Sequence, residues 1–224
     1  MITIKGLRFS YRPDDPLFDG ISFDLSMPGF YAIFGRSGSG KSTLGKIFAR
    51  RLSAAADVIS VPEPVLYAST DDILPHWVPV AKHLNEFLPP NTNDKLTSYW
   101  EAAQLDKKTY ASLPPELSLG QRQRVNLARY VVREAPCLVL DEVLVGVDQP
   151  SRWRILKWIK GRRQGLFTIL ISHEIDDVAV FSKQVIKLES SRPASISVLT
   201  GCDLDEVPDV PSTTHIALRK ELVA

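Results

Sequence analysis

The sequence predicts an α/β fold with a mostly parallel sheet, an antiparallel β subdomain at the N-terminus and an inserted α-helical subdomain. Three observations lead to this prediction. A glycine-rich run at residues 35–43 lies between an apolar strand and a helix. Short apolar strands alternate with helical segments over residues 137–182, which is typical of a parallel sheet. Between these parts, residues 71–135 show helical periodicity with proline-rich joints.

Short apolar runs and the residues that interrupt them define the individual elements. Residues 1–12 and 18–34 alternate or run apolar between proline-containing breaks, which predicts antiparallel strands before the glycine-rich run. After Ser190 the pattern is weak. Further predicted strands cover 58–68, 137–140 and 167–171, and predicted helices cover 41–53, 149–160, 175–182 and 215–223. We treat 1–224 as a single domain with a core at 1–70 and 136–190, a helical subdomain at 71–135 and a tail at 191–224.

Composition and charge narrow the possible function classes. The 224 residues are 44% hydrophobic and 24% charged, as in ordinary soluble globular proteins. A net charge of +1 gives no reason to expect direct binding of nucleic acid. The chain has no apolar run of membrane length, no secretory leader and only two cysteines, Cys137 and Cys202. We therefore expect a cytoplasmic protein that reaches a membrane only through a partner.

The glycine-rich run carries the most specific chemistry. Gly35–Ser42 fits the phosphate-loop template G-x-x-x-x-G-K-[ST] and follows an apolar strand. Backbone N–H groups of such a loop bind a polyphosphate, Lys41 can reach the β- and γ-phosphates, and the Ser42 hydroxyl can bind Mg²⁺. A chance glycine-rich turn is the alternative, but the flanking strand and helix favour a P-loop NTPase core. The predicted nucleotide-binding residues here are Gly35, Arg36, Ser37, Gly38, Ser39, Gly40, Lys41, Ser42 and Thr43.

Two acidic residues, Asp141 and Glu142, follow the buried strand 137–140. At this place in a phosphate-loop protein, a carboxylate holds Mg²⁺ directly or through water, which predicts Asp141 as a metal residue. Glu142 can orient or deprotonate the attacking water. A solvated acidic turn is the alternative, and the phosphate loop makes it the weaker interpretation.

A capping box begins the helix after Leu117. Ser118 and Gln121 match the S-x-x-Q pattern, so a helix should begin at Ser118 with free N–H groups at its tip. Gly120 would let an anion approach that tip closely. Taken alone, the pattern is equally expected of an ordinary helix cap.

These motifs, followed by Asp148 and His173, occur in the order and approximate spacing of the ATP-binding-cassette ATPases. The chain resembles the nucleotide-binding subunit of an ABC transporter over about residues 1–190. The signature Leu117–Gln121 is specific to that superfamily among phosphate-loop proteins. The stretch from His173 to Pro193 is similar to importers of the nitrate, sulfonate and taurine group.

The resemblance implies ATP and Mg²⁺ as ligands and a role for each matching residue. Tyr11 would stack on adenine, Glu142 would act as the general base or position the water, and His173 would contact the γ-phosphate. Lys41 would complete the catalytic set. Cofactor-binding roles outside the phosphate loop would fall to Tyr11, Ser118, Gly120, Gln121 and Asp148. Two alternatives stay open: His173 as a helix-capping histidine, and Tyr11 as a core or surface aromatic.

The resemblance also implies partners. Two cassettes, most simply identical copies, would face head to tail, and each ATP would lie between Lys41 of one copy and Ser118–Gly120 of the other. An integral membrane permease would dock against residues 70–90 and place the protein on the inner face of the membrane. The implied function is ATP hydrolysis that powers solute transport, with import favoured. The alternatives are a soluble ABC ATPase of DNA repair or translation, and a regulatory cassette with impaired turnover.

The sequence departs from the family pattern in two places. The family has a glutamine near the position of Ser69, yet no glutamine occurs between residues 44 and 103. We hypothesise that Asp71 or Asp72 replaces it through water. The segment between Lys41 and Ser69 is also short, so the antiparallel arm usually found there should be reduced.

Overall fold

Two sheets form the framework of the computed structural model, which describes residues 1–71, 74–205 and 212–223. A three-stranded antiparallel sheet has the order β2-β1-β4, and a six-stranded sheet has the order β5-β6-β7-β3-β8-β9. The strands are β1 (Ile2–Arg12), β2 (Asp15–Leu25), β3 (Gly29–Gly35), β4 (Val58–Ser60), β5 (Val65–Ser69), β6 (Cys137–Asp141), β7 (Phe167–Ile171), β8 (Gln184–Leu188) and β9 (Ile196–Thr200). The helices are α1 (Lys41–Phe48), α2 (Val80–Phe87), α3 (Asn93–Ala102), α4 (Lys107–Ala111), α5 (Leu119–Val131), α6 (Gln149–Arg162), α7 (Ile175–Phe181) and α8 (Thr213–Val223).

The antiparallel sheet follows from the N-terminal pattern. In β1, Ile2, Ile4 and Leu7 are fully buried, and Ile2 lies opposite Leu25 of β2. β4 is only three residues long and pairs with the start of β1. The expected reduction of the arm between Lys41 and the end of β5 is therefore observed.

The six-stranded sheet is parallel except for β9, which pairs with β8 in the antiparallel direction. Every residue of β6 and β7 is buried. Strands covered on both faces are continuous apolar runs, and this is why both were predicted correctly. The fold class predicted from the sequence is confirmed.

Part of the N-terminal prediction was wrong. The stretch 18–34 was expected to be antiparallel throughout, but β3 lies between β7 and β8 with both neighbours parallel. Six of the seven residues of β3 are buried, which suits a central strand rather than a hairpin with one solvated face.

One further prediction needs correction, and one element was not predicted. The helix expected over 41–53 ends at Phe48, because Arg50 adopts a left-handed conformation with φ of 52°. The tail after Ser190, where the sequence pattern is weak, contributes β9 as an edge strand. No residue of β9 is buried, so this edge strand lacks the continuous apolar run that marks the central strands.

Helices α2 to α5 occupy the chain between β5 and β6, where helical periodicity was predicted. They pack on α6 at a polar and aromatic contact: Tyr99 of α3 meets Trp158 edge-on at 5.2 Å, and the Trp158 indole donates to Ser98 Oγ at 3.1 Å. One apolar cluster joins these helices to one face of the six-stranded sheet, and a second joins α1 and the antiparallel sheet to the other face. The carboxyl ends of β3, β6 and β7 therefore open between two packed layers.

The last helix, α8, packs against α7 through the buried Leu218 and Leu222. His215 is also buried there, and its Nε2 lies 3.5 Å from Asp176 Oδ1 of α7. Among the residues that the structure describes, no helix has the length and apolar character that crossing a bilayer requires.

Candidate active site

The phosphate loop connects β3 to α1 at the carboxyl edge of the six-stranded sheet. Gly40 caps α1 with φ of 101°, a left-handed conformation that other residues rarely adopt. At Gly35, a Cβ atom would lie 2.4 Å from the carbonyl oxygen of Leu188. Glycine at these two positions therefore lets the loop curl tightly against β8 and start the helix with its N–H groups free.

Lys41 is the first residue of α1 and is 6% exposed. Its Nζ donates to the carbonyl oxygens of Gly35 at 2.8 Å and Arg36 at 3.1 Å. Burial lowers the pKa of Lys41, and the nearby carboxylates of Glu142 and Asp141 oppose that shift. These two carbonyl groups thus hold the ammonium group at the phosphate loop.

Asp141 ends β6 and meets the phosphate loop through Ser42. The Ser42 hydroxyl donates to Asp141 Oδ1 at 3.0 Å, so the two predicted metal residues are in direct contact. The hydroxyl of Tyr67, on β5, donates to Asp141 Oδ2. Burial raises the pKa of Asp141, while the two hydroxyl donors favour its charged form.

Glu142 follows Asp141 in a left-handed conformation with φ of 52°, which is uncommon outside glycine. Its backbone N–H donates to the Ile171 carbonyl oxygen at 3.0 Å, and this bond holds the turn after β6 against the end of β7. The Glu142 side chain is 36% exposed, and its Oε1 lies 3.7 Å from Nδ1 of His173. A strained residue held in place beside a histidine is typical of a catalytic position.

His173 does not cap the helix that follows it. Glu174 occupies the N-cap position of α7, and the Glu174 N–H donates to Ser172 Oγ at 3.0 Å. The capping alternative is therefore wrong, and the half-exposed imidazole is free to face the same space as Glu142.

A cavity of about 400 Å³ lies above the loop. Tyr11 stands at its edge, 63% exposed, with its hydroxyl 2.9 Å from Thr43 Oγ1 and its ring edge-on to Phe9. Tyr11 is therefore a surface aromatic at the cavity rather than a core residue. The residues that line the cavity are Tyr11, Leu17, Ser37, Gly38, Gly40, Lys41, Ser42, Thr43, Glu142 and Arg192.

Three of the predicted loop residues, Gly35, Arg36 and Ser39, do not line this cavity. Ser39 is buried behind the loop, where its Oγ would lie 2.7 Å from a Cβ atom at Gly35. Arg36 is exposed and contributes its carbonyl oxygen to Lys41. These residues shape the loop, whereas its other members face the space where phosphates would lie.

Sequence reasoning missed Leu17, Tyr67 and Arg192. Leu17 and Arg192 line the cavity, and Arg192 is held by an ion pair with Asp15 at 3.3 Å. The short phrase around Arg192 contributed only to the subgroup resemblance. Nothing local in the sequence indicates that the segment between β8 and β9 returns to the loop.

The capping box at Ser118 is confirmed. Ser118 Oγ accepts from the Gln121 N–H at 3.2 Å, and Gln121 Oε1 accepts from the Ser118 N–H at 2.9 Å. Ser118 is exposed and Leu119 is 58% exposed. The structure does not bring Ser118, Gly120 or Gln121 to the cavity above the loop of the same chain, so the tip stays open to another molecule.

Asp148, a predicted cofactor residue, also lies outside that cavity. It is the N-cap of α6, and its carboxylate accepts from the Ser151 N–H at 3.0 Å. Hydrogen bonds from Ser151 lower the pKa of Asp148. The side chain therefore fixes the turn between Glu142 and α6 in the single chain.

Ser69 ends β5 directly opposite Asp141 in the parallel ladder. It lines a cavity of about 260 Å³ between the sheet and α5. Asp71, proposed as a substitute for the missing glutamine, is exposed. Asp72, the other candidate, lies outside the described residues.

Arg152 connects the loop after β6 to the first turn of α7. It is buried in α6 and donates Nε to Asp177 at 2.7 Å and Nη1 to the Val147 carbonyl at 3.0 Å, and its Nη2 lies 3.1 Å from Glu174. The Trp153 indole also donates to Asp177, at 2.8 Å. Burial raises the pKa of Asp177, and the Arg152 hydrogen bond opposes that shift.

We expect Arg152→Met to lower the free energy of unfolding by about 3–5 kcal/mol, because it leaves the Asp177 carboxylate buried without its cation. Urea denaturation measures this loss. Arg162→Met is the matched control on the same helix, since Arg162 is exposed and should cost only about 0.5 kcal/mol. A loss below about 1 kcal/mol for Arg152→Met would show that the pair contributes little net stability.

The donor set at the loop fits a small hard cation. Ser42 and Asp141 offer a hydroxyl and a carboxylate 3.0 Å apart, and Mg²⁺ binds through one or two such oxygens together with substrate phosphates. Among the described residues, no cluster of three or more histidine, cysteine or acidic side chains could hold a metal alone.

Comparison with known proteins decides the family. The family described as ABC transporter matches residues 18–145, which is more than half of the chain and extends from β2 through Glu142. The chain belongs to the ABC transporter family. Membership makes it an ATP-binding subunit with ATPase activity.

Relatives in this family are similar over most of the chain. The aliphatic sulfonates import ATP-binding protein SsuB of Albidiferax ferrireducens is 32% identical over 74% of this chain and 63% of its own length. SsuB 2 of Streptomyces avermitilis is 31% identical over 85% of this chain and 78% of its own length. The energy-coupling factor transporter ATP-binding protein EcfA2 of Lactobacillus acidophilus is 27% identical over 85% and 77%, respectively.

Two solved structures share the fold of this ABC family member. A bacterial Atm1-family ABC exporter with ATP bound superposes with a TM-score of 0.77 at 20% identity, over 99% of this chain and 41% of that chain. A dimeric bacterial ABC transporter cassette superposes with a TM-score of 0.73 at 18% identity, over 90% of this chain and all of that one. At these identities the likeness establishes the fold alone.

Proposed function

We propose that this chain hydrolyses Mg²⁺–ATP and powers a membrane importer as its nucleotide-binding subunit. One observation carries the proposal. The phosphate loop with Lys41 and Ser42 directly faces the carboxylates of Asp141 and Glu142, while the signature tip at Ser118 stays exposed. Import is favoured because several relatives are named for sulfonate import.

The residues support in-line transfer of the γ-phosphoryl group to water. Glu142 would orient the attacking water and accept its proton as the oxygen bonds to phosphorus, while the bond to the bridging oxygen of ADP breaks. Lys41 would neutralise charge on the β- and γ-phosphates, and His173 would donate to a γ-phosphate oxygen. When bound, Mg²⁺ would neutralise further charge there, held by Ser42 and, directly or through water, by Asp141.

The nucleotide site needs a second cassette in this proposal. The cavity above the loop is open to solvent, and its lining residues do not include the Ser118–Gln121 tip of the same chain. The exposed tip at Ser118–Gly120 presents free helix N–H groups that would bind phosphate from the other side. A head-to-tail pair of identical chains would complete two such sites by one two-fold axis.

A membrane partner is expected at the segment after β5. Trp77 is 81% exposed, next to the cavity that Ser69, His76 and Arg122 help to line. Tryptophan is enriched at protein interfaces, which makes Trp77 a suitable contact for that partner. Docking of a permease there would place the protein at the inner face of the membrane.

Photocrosslinking tests this partner. We expect a benzoylphenylalanine at position 77 to crosslink to an integral membrane protein in the native membrane fraction, because the side chain would lie within the contact. The same probe at Val198, on β9 at the opposite edge of the sheet, is the matched exposed control and should not crosslink. Mass spectrometry of the adducts identifies the partner. Adducts with soluble proteins alone would contradict permease docking.

A second candidate function follows from the absence of a glutamine near Ser69. A cassette that binds nucleotide and dimerises but turns over poorly without that group would act as a regulator. The contact between Ser42 and Asp141 is present in either case. The two functions differ in turnover, which a comparison of the wild type with Glu142→Gln measures.

A further inference from the structure

Tyr67 is a buried tyrosine whose hydroxyl reaches the predicted metal site. It lies in the middle of β5, is 2% exposed, and donates its hydroxyl proton to Asp141 Oδ2. The parallel register explains the reach. Tyr67 pairs with Val139 and therefore lies on the same sheet face as Asp141, diagonally two residues away, which is within the span of a tyrosine side chain.

The Tyr67 ring is held from two sides. On one side α1 approaches closely at Gly45, where a Cβ atom would lie only 3.2 Å from Tyr67 Cε2 and 2.7 Å from Ile171 Cδ1. The Arg51 guanidinium lies 4.6 Å from the ring centroid, and its Nη2 donates to the Tyr67 carbonyl oxygen at 3.2 Å. The phenol therefore points at the carboxylate with little freedom to turn away.

The Asp141 carboxylate thus accepts one hydroxyl on each oxygen, from Ser42 on Oδ1 and from Tyr67 on Oδ2. Two donors from different elements fix the rotation of the carboxylate about its own bond. The Ser42 hydroxyl donates its proton to Asp141, so the lone pairs of its oxygen remain available for a cation. Outer hydrogen-bond partners of this kind orient metal ligands and raise metal affinity.

We propose that Tyr67 is a positioning residue of the metal site, which sets Asp141 and Ser42 for the Mg²⁺ of Mg²⁺–ATP. The inference rests on the proposed function, because it requires a metal–nucleotide complex at the phosphate loop. Through Tyr67, strand β5 would contribute to the metal site even though its last residue, Ser69, is not the glutamine of the family pattern.

Tyr67→Phe removes the hydroxyl and keeps the ring in its place. Electron paramagnetic resonance of Mn²⁺ titrated into the full-length protein saturated with ADP measures the bound metal. We expect the variant to bind Mn²⁺ about 10-fold to 100-fold more weakly than the wild type, with an altered spectrum of the bound ion. ADP affinity in EDTA should stay within about twofold, because the phosphate loop itself is unchanged.

Tyr31→Phe is the matched control. Tyr31 lies in β3 within the same apolar cluster, is 1% exposed, and donates its hydroxyl to the Met27 carbonyl at 2.6 Å. It therefore loses a comparable buried hydrogen bond away from the metal site, and its Mn²⁺ affinity should equal that of the wild type. If Tyr67→Phe yields too little folded protein, Tyr67→Met fills the space without a hydroxyl and serves the same titration.

The outcomes distinguish a failure of the Tyr67 positioning role from a failure of the proposed Mg²⁺–ATP site. Wild-type Mn²⁺ affinity in Tyr67→Phe, or an equal loss in Tyr31→Phe, overturns the positioning role while the Mg²⁺–ATP site stands. A wild-type protein that binds ADP in EDTA and takes up no Mn²⁺ overturns both proposals. A selective loss in the Tyr67 variants, with the spectral change, supports the role.

Discussion

Glu142→Gln should reduce the rate of ATP hydrolysis by about 10²-fold to 10⁴-fold, the range that a positioned general base contributes. The substitution keeps the size of the side chain and the left-handed turn after β6, but the amide cannot accept the proton of the attacking water. ATP binding should persist, since Lys41 and Ser42 are untouched. Phosphate release measures turnover. Size-exclusion chromatography with ATP detects the dimer, which should persist in the variant because the bound ATP is not hydrolysed.

Glu189→Gln is the control for this change. Glu189 is a half-exposed glutamate that follows β8 and lies 3.1 Å from Lys187, outside the residues that line the cavity. Loss of the Glu189 carboxylate should leave turnover unchanged. If the wild type hydrolyses as slowly as Glu142→Gln and forms the same ATP-dependent dimer, the regulatory cassette replaces the transport motor as the function.

The parts of the site that were predicted from sequence are those with local causes. The turn of the phosphate loop depends on glycines inside the loop, and the cap at Ser118 depends on a residue three positions away. The strands β6 and β7 were recognisable because burial on both faces makes them apolar throughout. The order of these elements then sufficed to indicate the fold.

The parts that were missed depend on which strands become neighbours. Tyr67 meets Asp141 only because β5 and β6 pair in a register that brings the two side chains to one face. Arg192 reaches the cavity through an ion pair with Asp15, far away in the chain. The periodicity of β3 shows that it is a strand but not that β7 and β8 flank it. A single sequence holds no local signal for such pairings.

Mixing two inactive variants should restore ATP hydrolysis if each site is shared between two chains. Lys41→Met removes the phosphate contact of the loop, and Gly120→Asp places a carboxylate at the exposed helix tip where the second chain should bind phosphate. Each variant alone should lack turnover. In a dimer of one of each, the intact loop of the second variant meets the intact tip of the first.

The expected recovery is up to about a quarter of wild-type turnover after monomers are mixed in equal amounts, because half of the dimers are mixed and each has one intact site. The matched control joins wild type with a chain that carries both changes. Every mixed dimer then has two broken sites, so only wild-type pairs work and about a quarter of the activity remains. A site built within one chain predicts the opposite pattern, with no recovery from the two single variants and about half of the activity in the control. The exposed position of Ser118, away from the cavity above its own Lys41, is the structural reason to expect the shared site.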